Sequence, residues 1–310
     1  MALHQTSGRW RLGLLLASVT ALFWSTLPIA LKLALERIDA WTITWIRFLS
    51  AALALAFWLG LRQGWSAYAG HSRRTWLMML AAAMMLTGNF VGYLFGIEYT
   101  TPANAQLLIQ AAPLLLALGG VLIFRERFSA RQWAGLTLVA LGLLGFSLDQ
   151  SAQNQGIARN YALGALIVFA AALVWAVYAL LQKQLLGRLG SQHLLLFIYA
   201  VAALLLLPMA RPASLLALDS LHAWALVYCC VNTLGAYGAF AEALAHWQAS
   251  RVGVVLALTP MLTVFAISAF SWLQPGLVRS EQIALLGWCG VSLVVFGSVL
   301  VSAAKQDPAD

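Results

Sequence analysis

Charge is scarce in this sequence of 310 residues: only 9% of the side chains are Asp, Glu, Lys or Arg, against roughly 25% in ordinary globular chains. Ten acidic and 18 basic side chains cannot cover the surface of a soluble fold of this length. Water-soluble domains, a disordered chain and a disulfide scaffold are therefore excluded. The three cysteines all lie in apolar runs, where their spacing fits neither a disulfide framework nor a metal site.

Several motifs of enzymes and pumps are also missing. All five aspartates lie between or beyond the apolar runs, which excludes an intramembrane aspartyl protease. Neither H-E-x-x-H nor G-x-S-x-G occurs, which removes the commonest zinc and serine hydrolases. No G-x-x-x-x-G-K-[ST] motif is present to bind ATP. The sequence thus predicts a protein that is not an enzyme and that needs neither a cofactor nor a metal.

Long apolar runs separated by short polar breaks dominate the chain. The AVILMFWYC residues make up 62% of it, and the mean hydropathy is +0.85. A helix of about 20 residues crosses the hydrocarbon core while satisfying its own backbone hydrogen bonds. The runs therefore predict an all-α integral membrane protein with ten transmembrane helices. The predicted spans are 12–35, 40–61, 76–97, 102–124, 132–148, 161–182, 192–209, 222–246, 251–273 and 281–302.

The distribution of Lys and Arg predicts the orientation of these spans. Twelve of these side chains fall on the side of the N-terminus and five on the opposite side. Both short tails, 1–11 and 303–310, are therefore expected in the cytoplasm, with the protein in a cytoplasmic (inner) membrane. The same distribution explains the net charge of +8, so nucleic acid is not an expected partner. The expected partners are the lipid bilayer and a small-molecule solute, and a monomer is favoured.

The chain repeats itself with an offset near 150 residues. Trp24 and Lys32 align with Trp175 and Lys183, and Pro113 aligns with Pro260. Since five spans per half is an odd number, the halves 12–148 and 161–302 are expected to insert with opposite topology. Inverted repeats of this kind are typical of secondary transporters, whose solute site lies near the midplane.

The same positions resemble the EamA-type branch of the drug/metabolite transporter superfamily. In the first half the resemblance rests on FWS at 23–25, Pro28, Lys32, Arg47, Phe48, GIEYTTPANAQLL at 96–108, Pro113 and FRERFSARQWAG at 124–135. In the second half it rests on VWAVYALLQK at 174–183 and EALAHWQASRVGVVLALTP at 242–260. It implies ten helices, two EamA repeats and export or exchange of small metabolites. One departure is Leu273-Gln274-Pro275, where the family tends to carry an acidic residue; Glu126 supplies that feature in the first half.

Polar residues inside apolar runs are costly in a bilayer and usually face a cavity or one another. Gln106, Gln110 and Pro113 have the spacing of one helix face, as do Asn89 and Tyr93. An interior of amides and aromatic rings suits a small amphipathic solute. The alternative is that the amides join helices and the rings pack or lie at the membrane interface. The candidate solute-binding residues are Trp24, Asn89, Tyr93, Gln106, Gln110, Trp175, Tyr178 and Asn232.

Other residues are candidates for gating, coupling or support. Lys32 and Lys183 lie near span ends on opposite sides and, with Pro113 and Pro260, are predicted gates or hinges, although snorkelling alone explains each lysine. Arg47 lies deeper and is predicted to be a structural tether. The candidate proton-coupling residues are Glu98, Glu242 and His246; ordinary solvation at the interface is the alternative.

Together these features predict a secondary transporter that works by alternating access. It would export or exchange small amphipathic metabolites, such as amino acids or related compounds. The alternative is a non-transporting membrane scaffold or sensor with a transporter-like fold. The interior amides and glycines favour transport, because a scaffold could fill the same space with Leu and Phe.

Overall fold

The structure is a computed structural model that describes residues 9–62, 66–112, 114–115, 118–119, 129–153, 158–186, 188–247, 252, 255–256, 258–276 and 282–303. Within these residues the regular elements are helical, and no strand occurs. Short 3-10 turns at Ser66–Tyr68 and Pro212–Ala217 follow the second and the seventh α-helix. The α-helices are α1 (Trp10–Leu35), α2 (Ala40–Arg62), α3 (Arg73–Tyr99), α4 (Pro102–Leu108), α5 (Ala130–Gln153), α6 (Ala158–Leu185), α7 (Ser191–Leu206), α8 (Ser220–His246), α9 (Thr259–Leu273) and α10 (Leu285–Ala303).

The helices have the length and surface of membrane spans. Among the described residues, α1, α2, α3, α5, α6 and α8 are long and apolar enough to cross a membrane, and α7, α9 and α10 are shorter apolar helices. Large apolar side chains face outward, including Phe57, Leu166 and Trp224, which are 72%, 65% and 71% exposed. Apolar surface on this scale is stable only in hydrocarbon. The chain is therefore an all-helical, multi-pass membrane protein.

Side chains from the loops determine where several helices begin. Ser72 accepts a hydrogen bond from the backbone of Thr75 at the start of α3, and Asp219 accepts one from His222 at the start of α8. At α10 the cap comes from another helix, because the backbone N–H of Ala284 donates to the Asp149 carboxylate at the end of α5 over 3.2 Å. This contact accompanies a start at Leu285, later than the predicted residue 281.

The helices pack mainly in pairs drawn from the two halves of the chain. The most extensive contacts join α5 to α10, α3 to α6 and α1 to α8, while α2 packs on α7 and α4 on α9. Glycine allows the closest of these approaches. A Cβ atom at Gly142 on α5 would lie 2.6 Å from the carbonyl oxygen of Gly290 on α10, and one at Gly290 would lie 2.7 Å from that of Gly142. Small residues at such crossings are typical of helix association in membranes.

The fourth helix is not continuous, although the sequence predicts one span over 102–124. α4 ends at Leu108, and Ile109 and Gln110 form a turn before residues 111–112 become helical again. The backbone N–H of Gln110 donates to the carbonyl of Leu107, three residues back, instead of to that of Gln106. The helix is therefore distorted next to both candidate glutamines.

A similar interruption precedes α9. Val252 and residues 255–256 are helical, Leu258 is a turn residue, and α9 begins at Thr259. The sequence predicts that Pro260 lies inside a continuous helix. In the structure Pro260 lies in the first turn of α9 instead. In a first helical turn a proline removes no intrahelical hydrogen bond. Its predicted counterpart, Pro113, lies outside the described residues.

Candidate solute-binding site

Arg47 lies on α2 in the interior of the bundle and is only 3% exposed. Its Nε atom donates to Thr233 Oγ1 on α8 over 3.0 Å. Its guanidinium carbon lies 4.7 Å from the centroid of the Phe90 ring on α3. A cation over a desolvated ring is stabilised by about 2 kcal/mol. The arginine on α2 thus contacts α8 through Thr233 and α3 through Phe90.

Three tyrosines lie in the neighbourhood of this arginine, and one of them forms a hydrogen bond with α4. Tyr93 on α3, Tyr199 on α7 and Tyr237 on α8 lie close enough to Arg47 to interact with its charge. Tyr93 Oη donates to Gln106 Oε1 over 2.6 Å. We call Arg47, Tyr93, Gln106, Tyr199, Thr233 and Tyr237 the central cluster. Gln110 lies one turn beyond Gln106 and is half-buried.

Aromatic rings from α1 and α6 extend the central cluster. The ring of Trp24 lies 5.7 Å from the rings of Tyr237 and Phe240, measured between centroids. The Trp175 side chain lies near the Tyr237 hydroxyl, and its ring centroid lies 6.4 Å from that of the buried Tyr178. Three of the predicted aromatic residues therefore meet around Tyr237, a residue that the sequence analysis did not select.

Several residues in and beside the central cluster are only partly buried. Tyr93 and Tyr237 lie deep in the bundle, yet both residues keep part of their surface accessible. Trp24, Trp175 and Gln110 are likewise only half-buried. Clefts between the helices of a bundle, lined by partly accessible polar and aromatic side chains, are where small ligands bind. The arrangement can therefore receive a solute with polar and aromatic parts.

The two predicted asparagines are used differently. Asn89 Nδ2 on α3 donates to the carbonyl of Ala171 on α6 over 2.9 Å, and Asn232 Nδ2 on α8 donates to that of Phe23 on α1 over 2.7 Å. They are 6% and 1% exposed. Both amides therefore connect helices across the two halves, as in the alternative interpretation of these residues.

Of the predicted gating residues, the three that the structure describes lie at helix ends. Lys32 is in the last turn of α1, and its Nζ lies 3.4 Å from the Ile97 carbonyl of α3. Lys183 is in the last turn of α6, and its side chain lies outside the described part of the structure. Pro260 is buried at the start of α9.

Glu98 lies in a pocket of about 470 Å³ at the C-terminal ends of α1, α3 and α7. Its walls include the Trp41 and Phe95 rings, whose centroids are 5.5 Å apart, and the Arg211 side chain. Glu98 is exposed there, and Arg47 is not among the residues that line this pocket. The structure therefore separates this candidate coupling residue from the central cluster.

Glu242 and His246 lie together near the end of α8. Glu242 Oε2 is 3.6 Å from His246 Nε2, and the two side chains are 67% and 18% exposed. The pair shares one helix face, as the i, i+4 spacing predicts. Its exposure resembles that of an interfacial ion pair more than that of a buried relay.

A second ionic group joins the ends of α1 and α8. His222 Nδ1 lies 2.7 Å from both carboxylate oxygens of Asp219, and its Nε2 lies 3.3 Å from Glu36 Oε2. Hydrogen bonds from the backbone and the imidazole of His222 hold the pKa of the Asp219 carboxyl below its ordinary value. In the described part of the chain, no three His, Cys, Asp or Glu side chains are placed to hold a metal ion.

Comparison with known proteins shows the family. The model of the EamA-like transporter family matches residues 11–148 and again residues 162–303. A protein of Escherichia coli named "uncharacterized inner membrane transporter YhbE" is 33% identical over 289 residues, covering 93% of this chain and 90% of its own length. The chain belongs to the EamA-like transporter family.

Other EamA relatives are similarly long. An "uncharacterized transporter" of Haemophilus influenzae is 33% identical, with 93% of this chain and 94% of its own covered. The "probable amino-acid metabolite efflux pump" of Salmonella typhimurium is 22% identical. The match covers 91% of this chain and 94% of that protein. A solved crystal structure matches with a TM-score of 0.63 at 20% identity over 93% of this chain and 96% of its own, a likeness in fold alone.

Sequence reasoning missed Tyr199, Thr233 and Tyr237, which complete the central cluster of this EamA protein. Tyr199 stacks on Phe48, with ring centroids 5.6 Å apart. Adding the offset of 151 between Trp24 and Trp175 to position 48 gives position 199. The repeat could thus have pointed to Tyr199. Thr233 could not be found from the sequence. A threonine inside a helix ordinarily bonds to its own backbone, so its presence there does not indicate a site.

Proposed function

We propose that this protein is a secondary transporter that exports or exchanges small amphipathic metabolites by alternating access. The observation that carries the proposal is the broken fourth helix beside the Tyr93–Gln106 hydrogen bond. Non-helical backbone at membrane depth is tolerated only where it is buried in protein or lines a cavity. Half-helices of this kind form the solute sites of many transporters.

The pairing of the helices supports an inverted repeat of α1–α5 and α6–α10. Exchanging each helix with its counterpart in the other half converts the α1–α8 pair into α6–α3. The same exchange leaves α2–α7, α4–α9 and α5–α10 unchanged. These five pairings all occur, as expected if a two-fold axis relates residues 12–148 to residues 161–302.

Individual contacts follow the same relation. The alignment offset is 151 between α1 and α6, from Trp24 to Trp175, and 147 between α3 and α8, from Asn89 to Ala236. Applied to the Asn89–Ala171 hydrogen bond, these offsets give the pair Ala236 and Thr20. Thr20 Oγ1 indeed lies 3.4 Å from the Ala236 carbonyl. The contact recurs with the donor on the other helix.

Glycine contacts recur as well. A Cβ atom at Gly164 would lie 2.5 Å from Thr100 Cγ2, and its counterpart at Gly13 would meet Trp247, which is the residue aligned with Thr100. A recurrence of contacts at fixed offsets is expected from a repeat, because equivalent surfaces pack in equivalent ways. It supports two halves that can rock against each other about a fixed site.

The polar and aromatic interior indicates the class of solute. Trp24, Tyr93, Gln106, Gln110, Trp175 and Tyr178 are the proposed lining residues. Their amides and rings complement a molecule with one polar and one apolar end, such as an amino acid or a related compound. The relative named as a probable amino-acid metabolite efflux pump supports the same class.

The remaining assignments are part of the same proposal. The termini are cytoplasmic, the membrane is the cytoplasmic (inner) one, and the protein is a monomer. Pro113 and Pro260 are hinges, and Lys32 and Lys183 are gates at opposite ends. If transport is proton-coupled, Glu242 with His246 and the separate Glu98 are the candidate carriers.

A binding screen followed by mutation tests the proposal. A solute that binds the folded state raises the melting temperature of the purified protein, and its transport is then measured in proteoliposomes. We expect Gln106→Leu/Gln110→Leu to abolish or redirect transport at nearly unchanged melting temperature. Gln184→Leu, at an exposed position of α6, is the matched control and should transport normally. Normal transport by the double variant would contradict the assignment of the site.

A further inference from the structure

Arg47 carries a positive charge into the membrane interior without an acidic partner among the described residues. Glu36, Asp39, Glu98 and Asp219 lie at helix ends or in loops. The other two described carboxylates are engaged elsewhere: Asp149 caps α10, and Glu242 pairs with His246. The described structure therefore offers no protein counter-ion to Arg47.

The remaining acidic residues lie at or beyond the ends of the apolar runs. Glu126, Glu281, Asp307 and Asp310 lie outside the described residues. In the sequence they fall at or beyond the ends of the predicted spans, or in the C-terminal tail. An arginine at membrane depth stays charged, and an uncompensated buried charge is strongly unfavourable. An anionic group that enters the bundle would supply a negative charge at Arg47.

Much of the guanidinium group of Arg47 is free to bind an anionic group. A guanidinium group has five N–H donors. Its Nε donates to Thr233, and its face covers Phe90, but neither Nη atom has a hydrogen-bond partner in the described part of the chain. The contact with Thr233 fixes the orientation of the side chain and leaves the paired Nη edge available. That edge matches the two oxygens of a carboxylate.

We propose that Arg47 binds the carboxylate of the transported solute, which makes the solute class an amphipathic carboxylic acid such as an amino acid. This inference rests on the proposed transport function. The contacts suit such a molecule, since Tyr93 links the surroundings of Arg47 to Gln106, and Tyr237 links them to Trp24. The carboxylate lies at Arg47, the other polar groups face the glutamines, and the apolar part lies against the rings.

An inorganic anion such as chloride is the competing source of negative charge. The two sources of negative charge lead to different measurable properties of the protein. A solute carboxylate makes transport depend on the acid form of the solute. A resident chloride ion makes the stability of the solute-free protein depend on chloride.

Matched pairs of solutes provide the test. Proteoliposomes are loaded with an equimolar mixture of the proteinogenic L-amino acids and their primary amides, and the loss of each compound is followed by mass spectrometry. Losses from protein-free liposomes are subtracted. We expect the wild type to release at least one apolar amino acid about tenfold faster than its amide, as for a charge-assisted hydrogen bond.

Variants test whether Arg47 causes the faster release of the acid than of its amide. Arg47→Gln should bring the ratio of acid to amide release close to one, whereas Arg47→Lys, which keeps the charge, should retain part of it. Arg37→Gln is the matched control, because Arg37 is an exposed arginine at the end of α1, 3.9 Å from Asp219. It should keep the wild-type ratio. The wild-type ratio remains informative even if Arg47→Gln fails to fold.

The outcomes separate this inference from the proposed function. If the wild type releases amides as fast as acids, or Arg47→Gln keeps the wild-type ratio, transport stands and the Arg47 assignment is overturned. If chloride but not gluconate raises the melting temperature of the wild type alone, and the ratio is near one, the anion is inorganic and the inference is also overturned. If no compound leaves faster than from protein-free liposomes, both proposals fail.

Discussion

Asn89 on α3 donates a hydrogen bond of 2.9 Å to the backbone carbonyl of Ala171 on α6. At the aligned positions, Thr20 on α1 lies within 3.4 Å of the Ala236 carbonyl on α8. Each contact joins a helix of one half to a helix of the other through a side chain and a backbone carbonyl. Both contacts therefore stabilise the packing of the two halves against each other.

Replacing Asn89 with Leu removes this bond while keeping a side chain of similar size. Interhelical hydrogen bonds in membranes contribute about 0.6 kcal/mol on average and up to roughly 1.7 kcal/mol. We expect a loss of stability in that range with transport retained, measured by thermal unfolding in detergent and by proteoliposome transport. Asn160→Leu, at an exposed position on α6, should change neither. Lost transport at unchanged stability would instead make Asn89 a solute ligand.

The crossing of α5 and α10 depends on the absence of side chains. Gly142→Ala would place a Cβ atom 2.6 Å from the Gly290 carbonyl oxygen, so the helices must separate. Overpacking of this kind costs about 1–3 kcal/mol. Gly145→Ala on the same helix is the control, because its Cβ atom would lie 3.7 Å from Leu286 Cδ1, an ordinary contact. A melting temperature lowered equally in both variants would argue against the close crossing.

Acid should weaken the contact between the ends of α1 and α8. Hydrogen bonds from His222 keep the folded pKa of Asp219 below its ordinary 3.8, so its stabilising effect is complete above that pH. The effect is lost as the pH falls through the lower folded value. We expect the melting temperature of the wild type to fall further below pH 3.8 than that of Asp219→Asn.

The control for this pH series is Glu98→Gln, which removes an exposed carboxylate with no hydrogen-bond partner among the described residues. It should follow the wild-type curve. Parallel curves for the wild type and Asp219→Asn would show that Asp219 does not contribute.

Cysteine labelling tests the orientation. In a background without Cys229, Cys230 and Cys289, a membrane-impermeant maleimide should label Leu216→Cys in intact cells, because this 91% exposed residue follows α7. It should label Ala69→Cys, after α2, only when the membrane is opened. The expectation follows from the Lys and Arg bias toward the side of the N-terminus. Labelling of Ala69→Cys in intact cells would reverse the topology.

The positions of most helices could be predicted from the sequence, because a helix must supply enough apolar residues to cross the bilayer. Predicted span 12–35 corresponds to α1 and span 40–61 to α2 within a few residues. The turn at Ile109 and Gln110 could not be predicted, since it depends on which carbonyl the Gln110 N–H selects. The start of α10 could not be predicted either, because the Asp149 side chain that caps it belongs to another helix.

The candidate site was only partly visible for a similar reason. The sequence identifies Gln106, Tyr93 and Arg47 as polar groups at membrane depth, and the structure joins them in one cluster. The sequence does not show that the Asn89 amide donates a hydrogen bond to a carbonyl of α6. An amide that lines a cavity and one that joins two helices have the same spacing in the sequence, and only the partner distinguishes them.

Counterflow tests the central claim, alternating access, most directly. Proteoliposomes preloaded with an unlabelled mixture of L-amino acids are diluted into a trace of the same mixture labelled with a heavy isotope. An alternating-access carrier exchanges one solute for another, so at least one labelled amino acid should accumulate transiently above its equilibrium level, and Gln106→Leu/Gln110→Leu should abolish this overshoot. Uptake that never exceeds that of protein-free liposomes, or that rises to equilibrium without an overshoot, would contradict the account.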